Sequence, residues 1–88
     1  MKVKNYMEDV VDNLIPVLLK EFTNICTCER CVADIKALAL NNLKPKYVAT
    51  VEGEVYTKVN ELSVQFEADS ISAIVDAINK VTKSPRHF

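Results

Sequence analysis

All three cysteines of this chain lie in one short stretch, CTCERC at residues 26–31, which we call the cysteine segment. Its spacing, Cys-x-Cys-x-x-Cys, includes the C-x-x-C pair that is typical of tetrahedral zinc sites. A chain of 88 residues predicts one domain, residues 1–88, with a marginal hydrophobic core. Domains of this size usually need a metal ion, a disulfide or a partner subunit to stay folded. We therefore predict a structural zinc ion, held by Cys26, Cys28 and Cys31 where two helices meet.

A closed zinc site needs a fourth ligand besides three thiolates. His87 is the only histidine of the chain and is our first candidate. If the last helix packs antiparallel to the helix that begins near Cys28, the end of the chain lies beside the cysteines. Asp34, a water molecule or a residue of a partner are weaker candidates. We expect the N-terminus of that helix and nearby Arg30 to lower the pKa of the thiols, which favours the metal-binding thiolate.

The same cysteines also allow two interpretations without zinc. Buried cysteines are often inert, small hydrophobic residues, whereas low-pKa cysteines can act as redox-sensing thiols. An open catalytic metal site would need a general acid or base, and neither Glu29 nor Asp34 stands out as one. The chain has no glycine-rich phosphate loop and no Gly-x-Ser-x-Gly motif. The sequence therefore indicates a protein that is not an enzyme.

The charges of the chain are nearly balanced, since 11 basic and 12 acidic residues give a formal net charge of −1. A protein that binds duplex DNA normally carries a basic face, because neutralisation of phosphates supplies much of the affinity. The balance argues against direct DNA binding. We find no apolar run of about 18 residues that could span a membrane, and we expect no signal peptide. We therefore expect a cytoplasmic protein, in which close cysteines stay reduced.

Hydrophobic periodicity predicts an all-α fold of three to four helices, with a long helix at the C-terminus. The first helix is predicted over about residues 5–24, with Asn5 as its N-cap. Pro16 lies inside this segment and predicts a kink or, alternatively, a partly broken helix. The second helix is predicted from residue 28 or 29 to about residue 42. One glycine and three prolines leave too few turns for a many-stranded sheet.

Residues 44–50 are predicted to form an extended connector that Tyr47 and Val48 attach to the core. Lysines and a tyrosine in residues 44–47 could also bind a phosphate and stack a base, although a solvated connector is the commoner case. Thr50 is the expected N-cap of the last segment, residues 51–83.

The last segment is predicted as one long helix, because no glycine or proline separates its two apolar halves. Residues 69–70 are then a polar notch; the alternative is that they cap a second helix. A helix of this length would span about 45 Å, which is more than two shorter helices can cover. The uncovered apolar stripe predicts a homodimer.

Three stretches together resemble the late competence development ComFB family: CTCERC at residues 26–31, DIKALALN at residues 34–41 and PKYV at residues 45–48. The resemblance covers most of the chain. It implies a short helical protein, a dimer and zinc bound by Cys26, Cys28 and Cys31. Members can complete the site with a cysteine near the C-terminus, which this chain lacks, and His87 stands near that place. For some members the resemblance also implies binding of cyclic dinucleotides such as cyclic di-GMP, at residues that we cannot assign.

We therefore expect a non-enzymatic regulatory or adaptor protein of the ComFB type with structural zinc, and a receptor for a cyclic dinucleotide as its further role. Two alternatives remain open. One is a protein–protein interaction module that binds no small ligand and whose partner is unknown. The other is a thiol redox sensor that uses Cys26, Cys28 and Cys31 without metal.

Overall fold

The computed structural model describes residues 2–60 and 64–83, and the elements in these ranges are mostly helical. They follow in the order β1 (Lys4–Asn5), α1 (Tyr6–Leu19), α2 (Glu29–Asn41), β2 (Tyr47–Val48), α3 (Val51–Asn60) and α4 (Val64–Lys83). The predicted helical character is confirmed. The two short strands were not predicted. They pair antiparallel, with Lys4 opposite Val48 and Asn5 opposite Tyr47.

Helix α1 begins where the sequence predicts but ends earlier. Asn5 is the N-cap, and its side-chain oxygen accepts a hydrogen bond from the Met7 backbone N–H at 3.1 Å. The helix continues through Pro16, so the alternative of a broken helix is wrong. The predicted end near residue 24 is also wrong, because the helix stops at Leu19. Beyond that residue the chain forms tighter i to i−3 turns, which satisfy the last helical carbonyls, and Asn24 then adopts a left-handed φ of 57°.

Helix α2 agrees with the prediction at both ends to within about a residue. Cys28 is its N-cap residue in extended conformation. At the other end the Asn42 side chain donates to the Leu38 carbonyl at 3.0 Å. The buried residues Cys31, Ile35 and Ala39 recur every four positions and define the face that packs against the core.

The last segment contains two helices in the described residues. Thr50 caps α3 as predicted, because its hydroxyl accepts the Gly53 N–H at 3.0 Å. Helix α4 begins at Val64, and residues 61–63 lie outside the described residues, as does the junction on which the single-helix prediction depends. The alternative cap at residues 69–70 is wrong, since α4 runs straight through them. Buried Ser70 is a polar notch whose hydroxyl donates to the Phe66 carbonyl at 2.9 Å.

The main core lies between α1, α2 and α4, and the contact of α2 with α4 is the most extensive. Its buried residues are Val11, Ile15, Cys31, Ile35, Ala39, Ile74, Ala77, Ile78 and Val81. A smaller cluster joins α1 to the sheet through Tyr6, Met7, Val10 and Val48. Val48 thus attaches the connector to the core as predicted, whereas Tyr47 is 68% exposed. Within the described ranges no helix combines the length and hydropathy needed to cross a bilayer.

Candidate functional site

The structure brings the three cysteine side chains together. The Sγ atoms of Cys26, Cys28 and Cys31 all lie within 4.8 Å of one another, and none of the three is in a disulfide. Zinc–sulfur bonds of about 2.3 Å place the sulfurs of a tetrahedral site about 3.8 Å apart. Small rotations of the two exposed side chains, Cys26 and Cys28, would therefore give this spacing. Three thiols are part of the donor sets that structural zinc sites use, and they fit a soft divalent cation better than Mg²⁺ or Ca²⁺.

Local geometry explains why these thiols converge. The left-handed residue Asn24 turns the chain after α1, and the cysteine segment then leads into α2. Cys28 is the N-cap of α2, and Cys31 lies in its first turn with 1% of its surface exposed. One thiol therefore belongs to the hydrophobic core while the other two face solvent. Metal bound here would tie the loop after α1 to the core itself.

The end of α4 lies beside the same cluster. A small cavity of about 240 Å³ separates them, lined by Asn24, Ile25, Cys26, Cys31, Ile35, Val81 and Thr82. Residues 81 and 82 are near the last turn of α4, whereas Cys31 is in the first turn of α2. The two helices therefore pack antiparallel, as the fourth-ligand hypothesis requires.

The thiols differ in their acidity, in contrast to the uniform lowering that the sequence predicts. The pKa of Cys28 is lowered, first because the Cys31 backbone N–H donates to its sulfur and second because the Cys26 thiol does so. Burial raises the pKa of Cys31 to about 12, and the neighbouring sulfurs of Cys26 and Cys28 add to the shift. The expectation of a lowered pKa is thus wrong for Cys31, because its desolvation outweighs the helix N-terminus. A cation would remove this opposition, since its charge stabilises all three thiolates together.

The other residues that the sequence offered as metal ligands are not placed in this cluster. His87 lies outside the described residues, so its role as fourth ligand stays a prediction. Asp34 does not belong to the cluster of possible metal ligands in the described part of the chain. The N-terminal residue of α2, Glu29, does not belong to it either. The described residues thus supply three possible metal ligands, all of them cysteine thiols.

A groove that extends along α4 from Phe66 to Lys80, beside the segment that follows α2, was not predicted as a site. Its volume is about 570 Å³, and its lining includes Lys44, Lys46, Phe66, Asp69, Ser70, Asp76 and Lys80. The Lys46 ammonium lies 5.3 Å from the centre of the Phe66 ring. Residues 44–47 were predicted as a basic and aromatic patch, and both lysines do line the groove, but the aromatic ring is that of Phe66. Nothing in the local sequence indicates that Lys46 lies near residues 66 and 80, because only the tertiary packing places Lys46 against α4.

Comparison with known proteins finds relatives along almost the whole chain. The model of the family described as late competence development protein ComFB matches residues 4–85. The competence protein ComFB of Bacillus subtilis (strain 168) is 28% identical over 81 residues, which are 92% of this chain and 83% of that protein. The solved structure of the late competence protein ComFB from Bacillus subtilis is similar with a TM-score of 0.80 at 27% identity, covering 97% of this chain and 96% of that one.

Proposed function

Because the chain belongs to the late competence development protein ComFB family, we propose that it is a non-enzymatic regulatory or adaptor protein with a structural zinc ion. The family membership confirms the resemblance drawn from the sequence. The zinc proposal is carried by one observation, the convergence of three thiol sulfurs within 4.8 Å beside the end of α4. In this proposal Cys26, Cys28 and Cys31 hold the ion, and His87 completes the site from the segment that follows α4.

The metal content of the purified protein tests this proposal. We expect about one zinc ion per chain in protein prepared without a metal-affinity tag, measured by elemental analysis. Cys31→Ser should lower this value strongly, because hydroxyl oxygen is a much poorer zinc ligand than thiolate. Less than about half an equivalent in the unmodified chain would contradict the zinc proposal and leave inert thiols or a thiol redox sensor as the alternatives.

The role of His87 is tested separately. His87→Ala should speed the transfer of zinc to a chromogenic chelator, because an open fourth position admits the competitor. Cys31→Ser serves as the positive control. Unchanged transfer in His87→Ala would move the fourth ligand to water or to a partner while leaving the three-cysteine site in place.

We further propose that the receptor role uses the groove between residues 44–46 and α4. Lys46 and Lys80 offer ammonium groups to phosphates, and the Phe66 ring offers a face for a base. The volume of about 570 Å³ lies in the range of small-molecule sites, roughly 300–1,000 Å³. The cyclic dinucleotide is the candidate that the family resemblance suggests, and the groove is where the described residues best fit its chemistry.

Calorimetric titration with cyclic di-GMP and cyclic di-AMP tests the receptor role. We expect saturable binding, weakened about tenfold by Lys46→Ala through loss of one charge-assisted contact. Lys20→Ala is the matched control, since Lys20 is an exposed lysine at the end of α1. An absence of heat at high micromolar ligand would contradict the receptor role and favour the interaction module. Binding that Lys46→Ala does not change would place the ligand elsewhere.

A homodimer is also part of the proposal. Large apolar side chains remain exposed on the chain, at Val3, Val17, Tyr47, Val51, Val55, Tyr56 and Val59. Four of these seven lie on α3, so in the described part of the chain the exposed apolar surface is concentrated on one helix. A small domain with such a surface is commonly completed by a second copy.

A further inference from the structure

The three thiols of the cysteine cluster are not equivalent, and two of them form a pair that helix α2 holds in place. Cys28 is the exposed N-cap of α2, and Cys31 lies in the first turn with 1% of its surface exposed. Cys26 precedes both, in a segment that belongs to no helix or strand. The helix thus sets the spacing of Cys28 and Cys31, with one thiol open to solvent and the other in the core.

The spacing of this pair suits a disulfide bond. Residues three apart at the start of a helix have Cα atoms about 5 Å apart, and disulfides join Cα atoms that are roughly 4.4–6.8 Å apart. The Sγ atoms of Cys28 and Cys31 already lie within 4.8 Å of each other, and neither is in a disulfide. A bond between them therefore requires rotation of the side chains and little movement of the backbone.

The two thiols also differ in their access to an oxidant. Metal-bound cysteine sulfurs are thiolates, so exposure and not acidity decides which of them reacts first in the zinc-bound chain. Accessible thiolates next to a second cysteine are the ones that peroxides oxidise reversibly. Cys28 is exposed, whereas the core shields Cys31. This arrangement makes Cys28 the thiolate that attacks the oxidant and Cys31 the one that resolves the product.

We propose that a hydroperoxide converts Cys28 and Cys31 into a disulfide and thereby expels the zinc ion. This inference rests on the proposed zinc site and names how that site is regulated. With hydrogen peroxide, the Cys28 thiolate attacks one oxygen, the O–O bond breaks and hydroxide leaves, which gives a sulfenic acid. The Cys31 thiolate then attacks the Cys28 sulfur, the S–S bond forms and a second hydroxide leaves. The two sulfurs lose two electrons in total, and these reduce one peroxide to two hydroxide ions.

The disulfide replaces one restraint on the chain with another. It closes the first turn of α2 on itself and leaves Cys26 as the single free thiol of the cluster. One thiol cannot hold zinc in a structural site, which uses four ligands. Oxidation would thus release the loop after α1 from α2, and a reducing agent together with zinc would restore the attachment.

Treatment of the zinc-loaded chain with hydrogen peroxide tests the proposal. We expect about one zinc ion released for every two thiols lost, measured with a chromogenic chelator and a thiol reagent. Trypsin cleaves the cysteine segment after Arg30, so a disulfide between Cys28 and Cys31 joins peptides 21–30 and 31–36 in the mass spectrum. Dithiothreitol followed by zinc should return both the thiols and the metal.

Cysteine variants identify the two partners and their order. Cys26→Ser retains the pair on α2 and should still give the linked peptides. Two matched variants with a single cysteine, Cys26→Ser with Cys31→Ser and Cys26→Ser with Cys28→Ser, compare the remaining thiols directly. Dimedone, which captures sulfenic acids, should label the chain that keeps Cys28 at least about tenfold faster than the chain that keeps Cys31, because burial slows oxidation.

The outcomes distinguish this proposal from the zinc site itself. A chain purified without zinc would overturn the zinc site and its expulsion together, while the peptide map would still decide whether Cys28 and Cys31 pair. Zinc release without linked peptides, or a link that Cys26→Ser abolishes, would overturn the proposal and place the oxidation at Cys26. Retention of zinc and of all three thiols in excess peroxide would overturn it as well, because the cluster would then be closed to oxidants.

Discussion

At the scale of single residues, Asn5 does more than the sequence predicts. Its side-chain oxygen accepts the Met7 N–H, which caps α1, and also accepts the Lys46 N–H at 2.9 Å. The neighbouring Tyr6 N–H donates to the Lys46 carbonyl at 2.7 Å. One residue thus starts the first helix and holds the segment before β2 against it. The cap follows from local sequence, whereas the second partner is 41 residues away.

We predict that Asn5→Ala destabilises the protein by about 1–3 kcal/mol, since it removes an N-cap and leaves the Lys46 N–H without its acceptor. Urea denaturation followed by circular dichroism measures this change. Asn13→Ala, at an exposed position of the same helix, should change stability by less than about 0.5 kcal/mol. Equal stability of Asn5→Ala and the unmodified chain would show that water replaces both bonds.

At the scale of elements, hydrophobic periodicity predicted where the helices lie better than it predicted the residues at which they end or the short strands beside them. Helix α2 follows from its apolar spacing because i to i−4 hydrogen bonds and a one-sided stripe are both local properties. The premature end of α1 depends instead on the turn that leads to Asn24. The strands are two residues long and have no readable period. They exist because the segments before α1 and before α3 lie side by side in the fold.

In helix α3 the apolar residues recur with helical spacing, but their side chains are not buried. The valine spacing predicts a helix and an apolar face correctly, but it does not say what the face meets. In α4 the same kind of spacing leads to a core helix, since Ile74 and Ile78 are fully buried. The difference lies in the neighbours: α4 packs against α1 and α2, whereas the stripe of α3 faces outward.

At the scale of the whole molecule, the antiparallel contact of α2 with α4 sets both candidate sites. The cysteine cluster lies beside Val81 at the end of α4, and the groove extends along α4 from Phe66 to Lys80. A metal ion at the cysteine cluster would restrain the loop after α1 against the start of α2. Because the described core is small, this restraint is expected to contribute a large share of the stability.

We predict that removal of zinc lowers the unfolding temperature by at least about 10 °C, which corresponds to a few kcal/mol for a chain of this size. Structural zinc binding in small domains is coupled directly to folding. Scanning calorimetry with and without a chelator measures the shift, and added zinc should reverse it. A variant with all three cysteines replaced by serine should be insensitive to the chelator. An unchanged unfolding temperature in zinc-free protein would mean that the apolar core alone holds the fold.

The sequence by itself determined what depends on near neighbours along the chain. These features are the spacing of the cysteine segment, the caps at Asn5 and Thr50, the bounds of α2 and the family to which the chain belongs. Hydrogen bonds between residues three or four apart, and the spacing of three thiols within six residues, follow directly from the local sequence.

Only the tertiary structure decided what depends on distant neighbours. It decided that Cys31 is buried while Cys28 is exposed, which separates their pKa values. It decided that Lys46 meets Phe66, and that the valine side chains of α3 are exposed. Burial and desolvation are set by whichever elements pack together. For this reason the sequence alone predicts the cysteine segment as a candidate metal site. It does not predict that one of the three thiols is buried in the core and the other two lie at the surface.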